Sequence, residues 1–224
     1  MTREFPPLYA ILSVDLLSSP STEYAAEIAA MLANGGVGII QYRNKHASAR
    51  ALLEVSTKIS EALAGTSARF IVNDRVDIAC LAGADGVHVG QDDLPVDEAR
   101  AVCEEINSRG ERAAKEFWVG VSTHTLEQVR AAAATAADYI AIGPIFATTT
   151  KQNHEAVVGT DFIRQARQLT NKPLVAIGGI TTQTAEEVFR AGADSIAIAR
   201  DLIRAENPAA RTAEYLAIAK DFRK

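Results

Sequence analysis

Short apolar runs alternate with longer amphipathic stretches along the whole chain. The runs lie at 8–14, 37–43, 70–72, 86–89, 117–121, 138–142, 174–177 and 195–199, and they are rich in Val, Ile, Leu and aromatic residues. Most are bounded by Gly, Asn, Asp or Pro, which marks a short strand. They are apolar at successive positions, so they predict strands covered on both faces, as in a parallel sheet. Between them, apolar residues spaced three and four apart predict helices over 21–34, 47–63, 77–82, 96–108, 126–134, 160–169, 184–190 and 208–222. Ser21 or Thr22 is placed to cap the first helix and Gly35-Gly36 to stop it. Pro95 stands at the entry of the fourth.

The pattern yields eight strand–helix units of about 28 residues each. A weak internal repeat supports the count. Ala82-Gly83-Ala84-Asp85-Gly86 resembles Ala191-Gly192-Ala193-Asp194-Ser195, and Ala136-Ala137-Asp138-Tyr139 is a looser copy. In each, a helix stops and a strand begins at once. An α/β fold follows: one (β/α)8 TIM-barrel domain over residues 1–224, near the lower size limit of that architecture. A doubly wound open sheet is the alternative, although no GxGxxG follows the first strand.

Composition narrows the function. Hydrophobic residues make up 48% of the chain, enough for a sizeable core. No apolar run approaches a membrane span, and the N-terminus lacks the charged and apolar regions of a signal peptide, so a cytoplasmic protein is expected. A net charge of −5 argues against a nucleic-acid surface. Cys80 and Cys103 fall inside predicted helices and read as small buried apolar residues. The sequence leaves room for a homo-oligomer.

In such a barrel the chemistry lies at the C-terminal strand ends. The third strand ends in Asn73-Asp74 and the fourth in Gly90-Gln91-Asp92-Asp93. Buried strands that stop in acids need compensation, because unpaired buried charge is costly. A divalent cation would supply it. Magnesium takes one or two carboxylates, with waters and phosphate oxygens completing its shell. Asp74 with Asp92 or Asp93 suits that description, and helix N-capping is the plainer use of the same acids. The second strand ends in Gln41, Arg43 and Lys45 on one face, a cationic surface suited to an anion. Ser122 could donate to a phosphate. His124 could be an acid or base, or simply start the next helix. His88, inside a strand, reads as a hydrogen-bonded core residue. Thr148-Thr149-Thr150-Lys151, in the loop after the sixth strand, suits a mobile anion-binding lid or a plain polar surface loop. Gly178-Gly179, and Ala199-Arg200 at the last strand, suit a backbone-made phosphate site or, in the case of the glycines, a tight turn. These residues predict two anion sites, one metal-assisted and one built largely from backbone.

Gln41-Tyr42-Arg43-Asn44-Lys45, Val72-Asn73-Asp74-Arg75, Gly86-Val87-His88-Val89-Gly90-Gln91-Asp92-Asp93, Gly120-Val121-Ser122-Thr123-His124, Gly143-Pro144-Ile145-Phe146 and Ala176-Ile177-Gly178-Gly179-Ile180 occur in one order across nearly the whole chain. Together they resemble the thiamine-phosphate synthase family. That resemblance implies condensation of 4-amino-2-methyl-5-hydroxymethylpyrimidine diphosphate with 4-methyl-5-hydroxyethylthiazole phosphate, releasing pyrophosphate. It implies magnesium on Asp74 and Asp93. Gln41, Arg43, Lys45, Asn73, Ser122 and Lys151 would hold the diphosphate, with Arg43, Lys45, Ser122 and Lys151 acting in catalysis. Tyr42 and Asn44 border the same substrate stretch but replace the family's commoner Leu and Glu, on the opposite strand face. Thr148, Thr149, Thr150, Gly179, Ala199 and Arg200 would border the thiazole phosphate. Arg200 stands where Ser is frequent. A thiazole tautomerase of the sister family and a non-catalytic phosphate sensor are the competing readings.

Overall fold

The computed structural model describes residues 5–19, 21–108, 116–148 and 156–222. Strands β1 (Leu8–Ser13), β2 (Ile39–Arg43), β3 (Arg69–Asn73), β4 (Gly86–Val89), β5 (Trp118–Thr123), β6 (Tyr139–Ile142), β7 (Leu174–Ile177) and β8 (Ser195–Ile198) pair in sequence order. All pairings are parallel. Leu8 of β1 lies opposite Ile196 of β8, which closes the barrel and excludes the open sheet. Helices α1 (Thr22–Asn34), α2 (Ala49–Ala62), α3 (Val76–Ala82), α4 (Val96–Ser108), α5 (Leu126–Ala133), α6 (Gly159–Arg167), α7 (Ala185–Arg190) and α9 (Pro208–Lys220) wrap it. Between β8 and α9 lies α8 (Arg200–Ile203), a single turn that the apolar pattern does not reveal. It buries only Leu202, too little for a periodic stripe. No helix among the described residues is long and apolar enough to cross a membrane.

The helix boundaries follow from local chemistry. The Ser21 hydroxyl accepts from Tyr24 N–H, and Ser48 does the same for Ala51. Thr125 and Gln128 form a reciprocal capping box on α5. Asn207 caps α9, with Pro208 at its first position.

Strand alternation sorts the core into two clusters. One lies between sheet and helices. The other fills the barrel with Tyr9, Ile11, Ile39, Ile71, Tyr139, Ala141, Val175 and Ala197. Phe5 stacks on Trp118 at 5.2 Å and packs on this inner cluster. Gly120 makes room for the Tyr139 ring: a Cβ at 120 would lie 2.0 Å from Tyr139 Cζ.

The internal repeat has a physical explanation. Asp85, Asp138 and Asp194 each precede an even-numbered strand. Each donates its N–H to a carbonyl on the preceding strand and accepts that same residue's N–H on its carboxylate, the partners being Phe70, Val119 and Leu174. The acid thus satisfies a backbone donor that the neighbouring strand leaves open. An unmet buried donor costs about 1–3 kcal/mol.

Candidate active site

At the barrel mouth, β2 sends Gln41 and Arg43 inward and Tyr42 outward. Tyr42 is buried in the helix-facing cluster. Asn44 spends its side chain on the turn, accepting from the N–H groups of His46 and Ala47. The structure therefore keeps Tyr42 and Asn44 away from the mouth, because alternation turns them outward.

Gln41 begins a buried chain of hydrogen bonds. Its Nε2 donates to the Tyr9 hydroxyl at 3.0 Å. Tyr9 meets Tyr139 at 3.0 Å, Tyr139 meets His88 Nδ1 at 3.0 Å, and His88 Nε2 meets Ser122 Oγ at 2.8 Å. One direction satisfies every member: Tyr9 donates to Tyr139, Tyr139 to His88 Nδ1, and His88 Nε2–H to Ser122. This tautomer is assigned from the network. It leaves the Ser122 hydroxyl proton unused by the chain, on a residue that lines the mouth. Burial pushes both phenols well above the usual tyrosine range, so they stay neutral. Tyr9 and Tyr139 escape the sequence reading because alternation gives the inward side of a strand but not the partner across the barrel. His88 occupies the hydrogen-bonded core position expected of it.

The acids converge as the spacing suggests. Asp74 and Asp93 are close enough to share a hydrogen bond, whereas Asp92 is exposed. Burial and then the Asp93 carboxyl raise Asp74 above the usual carboxylate range, and Lys45, 3.4 Å away, offsets this only in part. Asp93 also accepts from Gly90 N–H at 2.7 Å. Asp74 has a φ of 64°, and Arg75 N–H donates to Asn73 O at 2.8 Å across it. That is a γ-turn of the strained hand. The Asp74 N–H bond to His88 O, 2.8 Å, holds the turn in place. Such strain costs about 1–3 kcal/mol and collects at functional sites. Among the described residues no group of three or more His, Cys, Asp and Glu gathers. Two mutually repelling carboxylates, whose charge Lys45 offsets only in part, fit a hard divalent cation whose other ligands come from water and substrate.

At the same end of the barrel opens a cavity of about 680 Å³, lined by Arg43, Ser122, His124, Thr148, Gly179, Arg200 and apolar residues such as Ile11 and Ile177. Arg43 and Ser122 lie on its wall, and Arg43 Nη1 is 4.0 Å from Asp15. His124 Nδ1 lies 2.6 Å from Gly143 O, so that nitrogen carries the proton. Gly178 (φ 104°) and Gly179 (φ 61°) are required by the fold: a Cβ on Gly179 would come within 2.4 Å of Ala147 O. The turn they make pins the loop after β6, through Phe146 N–H to Gly178 O at 3.0 Å. The N–H groups of Gly179, Ala199 and Arg200 have no hydrogen-bond acceptor among the described residues. Three backbone donors thus border the cavity beside Arg200. Thr149, Thr150 and Lys151 lie outside the described residues.

A family model described as thiamine monophosphate synthase matches residues 8–202. A thiamine-phosphate synthase of Koribacter versatilis is 44% identical over 216 residues, 96% of each chain. One of Chloroflexus aurantiacus is 39% identical, covering 94% of this chain and 91% of that one. The structure of a thiamine phosphate pyrophosphorylase from Pyrococcus furiosus superposes with a TM-score of 0.84 at 28% identity, covering all of both chains.

Proposed function

The chain belongs to the thiamine monophosphate synthase family and is a transferase; on that premise we propose that it joins 4-amino-2-methyl-5-hydroxymethylpyrimidine diphosphate to 4-methyl-5-hydroxyethylthiazole phosphate, yielding thiamine phosphate and pyrophosphate. The observation that carries the reading is the meeting, at one mouth, of two groups of residues with the chemistry to hold anions. The acid pair with Lys45 lies on one side, and the cavity bordered by open amides on the other.

In this reading the diphosphate lies over β2 to β4, against Arg43, Lys45, Asn73 and the hydroxyl proton of Ser122, with Lys151 supplied by the loop after β6. The buried chain from Gln41 to Ser122 fixes the orientation of both end groups. A magnesium ion held by Asp74 and Asp93 would supply charge neutralisation to the diphosphate oxygens. Breaking the carbon–oxygen bond leaves its electron pair on pyrophosphate and a cation on the pyrimidine methylene; the thiazole nitrogen then gives its lone pair to that carbon. No protein nucleophile is needed. The residues stabilise charge as it develops on the leaving group. The thiazole phosphate is held by the amides of Gly179, Ala199 and Arg200 and by Thr148.

The test is incubation of the purified protein with substrates and chromatography of the products. Thiamine phosphate is expected only when pyrimidine diphosphate, thiazole phosphate and magnesium are all present. Metal-independent isomerisation of a thiazole carboxylate phosphate, with no pyrophosphate released, would assign the chain to tautomerase chemistry instead.

A further inference from the structure

The cradle assigned above to the thiazole phosphate contains a negative charge that should oppose it. Asp201 follows Arg200 in the first turn of α8, and both residues line the cavity. A carboxylate on that wall adds negative charge beside the space given to a phosphate, and like charges in a partly desolvated site repel strongly. The structure shows how that charge is occupied. Asp201 Oδ2 accepts from Arg211 Nη1 at 2.6 Å and from the Tyr215 hydroxyl at 2.5 Å. Both donors stand on α9, one turn apart. Tyr215 is fully buried, and burial followed by the Asp201 contact pushes its phenol above the usual range, so it remains a donor. Its single proton goes to the carboxylate, and Ile180 O, at 3.5 Å, is a longer contact on the loop after β7. Arg211 is steadied from outside by Glu214, 3.1 Å from its Nε.

We propose that Arg211 and Tyr215 mask the Asp201 carboxylate, and that this mask lets α8 present open amides and Arg200 to a phosphate monoester. The inference rests on the assignment of the monophosphate to the β7–β8 side. Arg211 and Tyr215 are positioning residues: they touch Asp201 and not the ligand. An ion pair kept only for stability would predict loss of fold when broken. A mask predicts loss of affinity for one substrate, reversible by removing the masked charge.

The experiment measures KM for each substrate, kcat and thermal midpoint for three proteins and a control. Arg211→Gln should raise KM for thiazole phosphate about 10-fold, the scale of one charge-assisted contact, and weaken inhibition by inorganic phosphate in parallel. KM for the pyrimidine diphosphate and kcat at saturation should not change. Adding Asp201→Asn to Arg211→Gln should bring the thiazole phosphate KM back to within about 3-fold of the native value. Tyr215→Phe should shift the same KM in the same direction by less, and it serves if Arg211→Gln folds poorly. An unchanged KM in Arg211→Gln, or a defect that Asp201→Asn does not relieve, overturns the mask. The control is Arg200→Glu, which places new negative charge at the cradle. If it raises the thiazole phosphate KM while Arg211→Gln does not, the mask alone fails. If Arg200→Glu also leaves that KM unchanged, the monophosphate is not bound there, and the assignment fails with the mask.

Discussion

Arg43→Ala is expected to lower kcat by about 10²-fold or more, the usual scale for losing one preorganised charge-stabilising contact. Arg43 ends β2 on the inward face and lies on the cavity wall, with its side chain only 17% exposed. Among the described residues its ion-pair partner is Asp15 at 4.0 Å, a loose pairing that leaves most of the guanidinium charge available to a ligand. A contact that strengthens as pyrophosphate separates raises the barrier when it is removed. The loss should therefore appear in kcat more than in KM. Arg43→Lys should recover part of the rate, because a point charge remains while the planar fork is lost. Steady-state kinetics with both substrates varied checks this. A variant with native kcat and only a raised KM would place Arg43 outside the charge-developing step.

Asp74→Asn is expected to reduce turnover on the same scale, about 10²-fold or more, while making the metal-free fold no less stable. Asn tolerates the positive φ found at Asp74, so the γ-turn survives. The Asp74 carboxyl is raised by burial and by Asp93, so the native state there holds its proton more tightly than the unfolded chain. Stability of the metal-free protein should fall as pH rises from the ordinary carboxylate range through the raised value. Asp74→Asn removes that contribution to the fall. Magnesium should raise the thermal midpoint of the native protein at neutral pH, by mass action on the folded state, and should do so much less in Asp74→Asn or Asp93→Asn. Thermal denaturation across pH, with and without magnesium, reads all of this. Near-native turnover of either variant at limiting magnesium would remove the acid pair from the mechanism.

The apolar runs carried the architecture, because eight doubly covered strands have few other ways to pair. The site was legible to the extent that it follows from strand ends. Asp74 and Asp93 were visible as acids closing apolar runs, and Gln41, Arg43 and Lys45 as one face of a strand. The strand ends alone left Asp92 and Asp93 open, and only the family resemblance chose Asp93; the turn at Gly90, whose N–H fixes the Asp93 carboxylate, gives that choice a physical reason. The Gln41–Tyr9–Tyr139–His88–Ser122 chain was illegible, because its members come from five strands and barrel closure alone makes them neighbours. Helix α8 was missed for want of periodicity in one turn. Asp201 carries no signal in the sequence, because its partners Arg211 and Tyr215 reach it only through the packing of α9.

The central claim is that one mouth holds two anions, of which one needs the metal. Titration calorimetry with pyrophosphate and with thiazole phosphate, each with and without magnesium, tests it most directly. Pyrophosphate affinity should rise at least about 10-fold with magnesium, a gain of about 1.4 kcal/mol, and should lose that gain in Asp74→Asn. Thiazole phosphate should bind with or without the metal, and with pyrophosphate already present. Metal-independent pyrophosphate binding, or mutual displacement of the two ligands, would contradict it.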